Sequence, residues 1–339
     1  MSPTALARRS DASPPPLEHH FRAMGSDAHL VVVGGDRSLI RRAIARIDEL
    51  EGRWSRFRPD SEVTALNTRS GLPMPASADT RLLVARAVEA WHLTGGSFDP
   101  TLLDDLLRAG YDRSFEQLPA DVDTREVFAR RQTAGASGCT DIIIEDFTVT
   151  MPAGVAFDAG GIGKGLAADL VATELMAEGT RGVCVNIGGD LRVLGESPNG
   201  AGWTLAIEHP LSSTPIALVG LAAGAIATSS VLRRVWNRGG RARHHLLDPA
   251  TGEPTESDVA LASVIAGEAW KAEVLAKASL LRGRARAFDL LDGSTAALVV
   301  DHDGDVSTTD TLLTFTGGGS PPVPVDFDLS AASKRAVTR

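Results

Sequence analysis

Gly160, Gly161, Gly163 and Gly165 lie in the run Asp158-Ala-Gly-Gly-Ile-Gly-Lys-Gly165, directly before a helical pattern. Glycine is needed where backbone must approach a ligand closely or take a positive φ, and a helix N-terminus offers free N–H groups to phosphate. The chemistry open to such a run is the binding of a phosphate-bearing ligand. It is not a Walker A loop, because the position five before Gly163 is Asp158 and Lys164 is followed by Gly165 rather than Ser or Thr. Nor is it the dinucleotide fingerprint, since Gly161-Ile-Gly163 is followed by Lys164, Gly165 and Leu166. Alone, the run reads equally as a tight strand-to-helix turn that holds no ligand.

The elements around it give the order strand, glycine loop, helix. Val155–Asp158 is predicted as a short strand and Gly165–Ala177 as a helix, while Ile142–Met151 alternates about Glu145-Asp146 as a hairpin would. Earlier, Ala28–Val33 reads as a strand, and Ser38–Trp54 is helical through Ile40, Ala43, Ile44, Ile47 and Leu50. A second helix is expected over Asp79–His92 and a late one over Glu268–Leu281. The apolar run Ile216–Ala227 is read as two strands turning near Gly224. The mixture predicts an α/β chain with an α+β mixed sheet. Pro-rich and polar tails at 1–16 and 317–339 are expected to flank one folded unit over 17–316.

Composition excludes several partners. The 34 Lys and Arg against 43 Asp and Glu give a net charge of −9, which works against the basic surface that nucleic acid needs. Cys139 and Cys184 are the sole cysteines, and Cys184 sits in the apolar run Val183–Ile187, so a disulfide framework is not expected. No transmembrane segment is predicted, and the first sixteen residues show no apolar export region, so a cytoplasmic location is expected.

Seven segments, in order, resemble the ApbE family, the FAD:protein FMN transferases once called thiamine-biosynthesis lipoproteins. Asp158–Asp169 (DAGGIGKGLAAD) looks like the family's D-[LA]-G-G-I-[AG]-K-G-x-A-x-D, Asn186–Asp190 like its N-x-G-G-D, and Ala227-Thr228-Ser229 like its A-T-S. His245–Pro254 (HLLDPATGEP) matches H-[IL]-[IL]-D-P-x-T-G-x-P, and Met24-Gly25-Ser26, Phe57–Asn67 and Gly96–Thr101 resemble three more signatures. The resemblance runs from about Phe21 to Leu281. It implies a T-fold-related single globular unit with a nucleotide cleft between two lobes. It also implies transfer of FMN from FAD to a Ser or Thr hydroxyl of an acceptor protein, with release of AMP. On this footing His245 handles the proton, its pKa near neutrality suiting a base. Met24, Ser61, Glu62, Asp99, Asp158, Gly160, Gly161, Lys164, Asp169 and Thr228 match positions that hold the flavin nucleotide. Asp169 reads equally as a solvated helix residue, and Ser61 as the cap of a helix running to Asn67 with Glu62 in its first turn. Asp248 is assigned to its turn, and His244 to the strand face opposite His245.

Family members hold a magnesium ion with the Asp and Thr of a late A-D-A-L-A-T-A and a carbonyl of the glycine loop, here that of Gly163. The corresponding run in this chain is Ala272-Glu-Val-Leu-Ala-Lys-Ala278. Glu273 keeps a carboxylate, but Lys277 stands where Thr is usual, and an ammonium does not ligate a metal. Three readings stay open: an i,i+4 Glu273–Lys277 surface pair, a Lys277 whose charge replaces part of the metal's, or a metal held by Glu273, Gly163 and FAD oxygens. Thr228–Arg234 also departs from the family's T-S-G-[DN]-Y, and leaves Arg233 and Arg234 either for phosphate or acceptor or for a solvated strand edge. Besides transfer, two functions compete: FAD binding without transfer, and hydrolysis of FAD to FMN and AMP.

Overall fold

Between residues 26 and 33 alternate side chains enter two different cores, because successive residues of a strand project to opposite faces. Ala28, Leu30 and Val32 join one apolar cluster and Val31 and Val33 the other. This strand, β2 (Ser26–Val33), lies between β1 (Leu17–Ala23) and β3 (Gly182–Ile187). The sheet continues through β4 (Asp190–Gly195), β5 (Gly224–Ser230), β6 (Val259–Ala266), β7 (Ala296–Asp301) and β8 (Val306–Thr308). Each strand is antiparallel to the one before it. All of β6 is buried, as a central strand covered on both faces must be. This computed structural model describes residues 15–119, 121–122, 138–209, 212 and 214–317, so nearly all of the two expected tails lies outside the described residues.

The class expected from the sequence is realised as α+β: the main sheet is antiparallel, and among the described residues parallel pairing is limited to Asn237–Arg238 against Asp121–Val122 and an isolated bridge between Leu102 and Ala156. One face carries α1 (Arg37–Trp54), α2 (Glu62–Thr68), α3 (Ala78–Thr94), α5 (Gly163–Ala177) and α6 (Ala269–Leu281), while a short α4 (Leu103–Arg108) packs through Leu106 in a separate small cluster with Tyr111 and Trp236. Asp36 and Ser77 accept from the N–H groups of Ser38 and Thr80 and so start α1 and α3. The other face is closed by the hairpin 203–207/217–221, whose Trp203, Leu205, Ile207 and Val219 enter the second core. As expected, the run after Ile216 divides into two strands at Gly224, although they belong to different sheets.

Two local expectations change. Val155–Asp158 is extended but not a strand, because its backbone is satisfied elsewhere: Asn67 bonds both the N–H (2.7 Å) and the carbonyl (2.9 Å) of Phe157, and the Asp158 N–H donates to Pro100 O (2.8 Å). Helix α5 starts at Gly163 rather than Gly165, so the last glycines of the run are helical.

Gly165 is where α5 meets α6. A Cβ built there would stand 2.5 Å from the carbonyl oxygen of Ala269 and 2.7 Å from the nitrogen of Trp270. Neither is a flexible side chain that could move away. Gly165→Ala is therefore expected to lower stability by ~1–3 kcal/mol through overpacking, read as a lower urea midpoint at unchanged slope; a wild-type midpoint would show that the helices have room to part.

Candidate active site

The glycine run sits on the floor of a cavity of about 420 Å³, a size usual for ligand pockets. Buried Phe157, just before the run, and Ile162, in its middle, anchor it in the core. None of Gly160, Gly161, Gly163 or Gly165 has a positive φ, so close approach, not left-handed backbone, is what these glycines provide. The helix end is partly spent within the protein. Gly163 N–H bonds Ala159 O (2.8 Å) and Gly165 N–H bonds Glu273 Oε2 (2.9 Å). Among the described residues the N–H groups of Gly160, Gly161 and Lys164 have no hydrogen-bond partner. Those three remain for an anion.

Charge is concentrated beside them. Lys164 Nζ pairs with Asp190 and with Glu273 Oε1 (2.8 Å). Burial pulls the Lys164 pKa down, but the two carboxylates more than offset it and the net shift is upward. Burial and the neighbouring Glu273 carboxylate push Asp190 up. Arg56 Nε lies 3.1 Å from Asp158, its Nη2 donates to Tyr111 O, and its guanidinium stacks 4.1 Å from the Phe57 ring and 4.8 Å from the Tyr111 ring. Lys277 rises from α6 to the same floor, where burial holds its ammonium below its ordinary value against the Glu273 and Asp158 carboxylates.

His245 follows the strand Arg241–His244 and faces the cleft, whereas His244 turns away and its Nε2 meets Thr255 O at 3.2 Å. Burial above all, then the charges of Arg234 and Lys277, hold the His245 imidazole well below its ordinary value. It is neutral at neutral pH and able to accept a proton. Asp248 keeps its assigned turn role, accepting from Ala250 N–H (2.9 Å).

Backbone strain also gathers at this site. Met24 (φ 49°) and Arg234 (φ 54°) are the non-glycine residues with positive φ among the described residues, and both line the cleft. Met24 is held in its turn by Glu51, which accepts its N–H at 2.7 Å. Arg234 donates to Ser26 Oγ at 3.1 Å, and so ties the β1–β2 turn to the segment after β5. It lies in a turn that faces the cavity, not on the solvated strand edge; Arg233 instead pairs with exposed Glu208. Strained residues of this kind cost about 1–3 kcal/mol each and cluster where ligands are gripped.

Of the residues expected from the sequence, Met24, Asp99, Asp158, Gly160, Gly161 and Lys164 line the cavity, with Gly163, His245 and Lys277. Five do not. Ser61 is buried as the cap of α2, accepting from Thr64 N–H (3.0 Å), and Glu62 accepts from the N–H and hydroxyl of Ser77 at the start of α3 (2.9 Å each). Thr228 bonds Ser263 across β5 and β6 (2.5 Å). Asp169 is neither a ligand contact nor solvated: buried in α5, it accepts from the N–H groups of Ala269 and Trp270 (2.9 Å each) and caps α6 from a neighbouring helix. Glu273 is buried behind the loop with both oxygens taken, by Lys164 and by Gly165 N–H.

The residues present therefore do not fit a magnesium ion held by Gly163 and Glu273. Glu273 does not line the cavity, and an ammonium stands where a third ligand would be needed. Nor are Glu273 and Lys277 a surface pair, since Glu273 is buried and bonded elsewhere. Sequence reasoning missed the wall formed by Arg56, Phe57, Tyr111 and Phe115. Phe57 opens one of the quoted segments, but Tyr111 gave no local signal; it is placed by packing on Trp236, with ring centroids 5.3 Å apart.

An α+β chain whose cleft has a glycine loop on its floor, cations at Arg56, Lys164, Arg234 and Lys277, and an aromatic wall on one side is built for a nucleotide with a flat ring system. The sequence model of the ApbE family matches residues 24–299, and the chain belongs to that family. It is 30% identical over 246 residues to the FAD:protein FMN transferase of Vibrio cholerae serotype O1, covering 71% of this chain and 72% of that one. With the enzyme of the same name from Haemophilus influenzae it shares 28% over 263 residues, 75% of each chain. Among solved structures, the flavinyl transferase ApbE of Pseudomonas stutzeri in its apo form superposes with a TM-score of 0.75 at 25% identity, over 90% of this chain and 98% of that one. The ApbE protein of Thermotoga maritima superposes with a TM-score of 0.78 at 24% identity, over 89% and 99%.

Asp169→Ala should remove the acceptor for two buried N–H groups at the α6 end and destabilise the fold by ~2 kcal/mol. Chemical denaturation checks this, and an unchanged midpoint would return Asp169 to the list of ligand contacts.

Proposed function

We propose that this chain transfers FMN from FAD to a Ser or Thr hydroxyl of an acceptor protein and releases AMP. Membership of the ApbE family and the names of its relatives support the reaction class. The structural observation that carries it is a neutral His245 facing a cleft in which Lys164, Arg234, Lys277 and the free N–H groups of the glycine loop come together.

The reaction joins the acceptor oxygen to the phosphorus of the FMN half and breaks the bridging P–O bond, so that AMP leaves. Fixed donors stabilise the charge that develops on the phosphoryl oxygens without reorganising. Here those donors are the N–H groups of Gly160, Gly161 and Lys164 and the cations of Arg234 and Lys277. Arg56, held by Asp158, braces the loop and stacks on the aromatic wall, against which the flavin ring is placed. The hydroxyl proton passes to the His245 imidazole. A bound magnesium would supply further charge neutralisation, but the carboxylate expected to hold it is engaged by Lys164 and Gly165. A cytoplasmic site of action remains part of the proposal and is supported by the two buried, unbridged cysteines.

Mass measurement of candidate acceptors from the same genome, after incubation with FAD, tests the reading. A gain equal to FMN is expected, whereas release of FMN and AMP with every acceptor mass unchanged would mean hydrolysis. His245→Ala is expected to bind FAD normally and to lose transfer by about 10²–10⁴-fold. Because the imidazole is held low, the acid limb of kcat/KM should fall below about 6.5, the value of an ordinary histidine. A limb at or above that value would take the base role from His245.

A further inference from the structure

The cations of the cleft differ in what already holds them. Lys164 is paired with Asp190 and Glu273, Arg56 with Asp158, and Arg234 with the Ser26 hydroxyl. Among the described residues Lys277 Nζ has no hydrogen bond or ion pair; its close neighbour is the face of the Phe98 ring, 5.4 Å from the centroid. It stems from α6, nearly all of which is buried, and passes beneath Gly161. A Cβ at position 161 would collide with Nζ and come within 3.0 Å of Phe98, so the missing side chain is what lets the ammonium reach the cavity floor. There it stands beside the free N–H groups of the loop. A cation drawn out of water with carboxylates nearby but none in direct contact is incompletely compensated until an anion arrives.

We propose that Lys277 Nζ is the fixed cation that receives the pyrophosphate of FAD, so that this chain binds and cleaves the nucleotide without an added divalent metal. The inference rests on the FAD reading above. Bond changes are unaltered by it: the acceptor oxygen bonds to phosphorus, AMP leaves with the bridging oxygen, the hydroxyl proton goes to His245, and Lys277 keeps its three protons. Two features favour the lysine over a metal in its place. Both Glu273 oxygens are occupied, and a divalent ion there would face the charges of Lys164 and Lys277 together.

The test is fluorescence titration of the full chain with FAD and with riboflavin, which lacks phosphate, in EDTA and in magnesium chloride. Wild type should bind FAD equally in both buffers to within about twofold and should release AMP in EDTA when given an acceptor. Lys277→Gln should weaken FAD binding about tenfold or more in EDTA and leave riboflavin binding unchanged, and Lys277→Arg should keep most of the FAD affinity. The proposal is overturned if wild type needs magnesium to bind FAD or release AMP, a measurement that requires no variant to fold. It is also overturned if Lys277→Gln binds FAD like wild type, or loses FAD and riboflavin alike, as a merely structural lysine would. Failure of wild type to bind FAD in either buffer would instead remove the FAD reading itself.

Discussion

The ion cluster of Lys164, Asp190 and Glu273 is the interaction on which the rest of the site depends. Its members come from α5, from the first residue of β4 and from the middle of α6, and all three side chains are largely withdrawn from water. Buried charges repay their desolvation only when geometry is good and the remaining lone pairs are used. Glu273 meets that condition by also accepting the Gly165 N–H, and Asp169 answers from α5 by capping the first turn of α6. The two helices are thus clasped at their N-terminal ends by reciprocal carboxylates. Gly165 lets their backbones come close enough for the clasp to close.

That clasp fixes what a ligand meets. With Lys164 and Glu273 spent on each other and Asp158 paired with Arg56, the loop offers its free N–H groups, and Lys277 beside them is the cation without a direct partner among the described residues. The strained turns at Met24 and Arg234 are locked to each other through Ser26, so the opposite rim is held as firmly as the floor. A slot tied at rim and floor in this way suits chemistry in which charge is stabilised by groups already in place.

Much of this was legible in the sequence, for reasons that are local. Periodicity marked α1, α3, α5 and α6 to within a few residues, and the glycine run and the histidine before Leu246 marked two walls of the cleft. What sequence could not reach were side chains whose partners are distant in the chain. Asp169, Ser61, Glu62 and Thr228 all sit in segments that belong to the site, yet each spends its polar atoms on a backbone end or a neighbouring strand. A motif fixes identity and order but not which face of a helix the residue occupies, and Asp169 lies on the face turned to α6. The Val155–Asp158 segment was misread for the same reason, since Asn67, ninety positions away, takes the hydrogen bonds a strand would have used.

The order of the main sheet has a consequence for how the chain comes together. Strands β1 and β2, and likewise β3 and β4, are joined by short turns and close locally, but residues 34–181 all lie between β2 and β3. Joining those two strands means closing a very long loop, which carries an entropy cost that local hairpins avoid. Helices α1 to α5 and the glycine run fall inside that loop, the His245 segment falls in another, between β5 and β6, and α6 follows β6. Each strand hairpin has the means to form early; the slot between them should exist only once the slowest pairing is made, so that a chain stalled short of that step would carry its secondary structure and still have nowhere to hold a nucleotide.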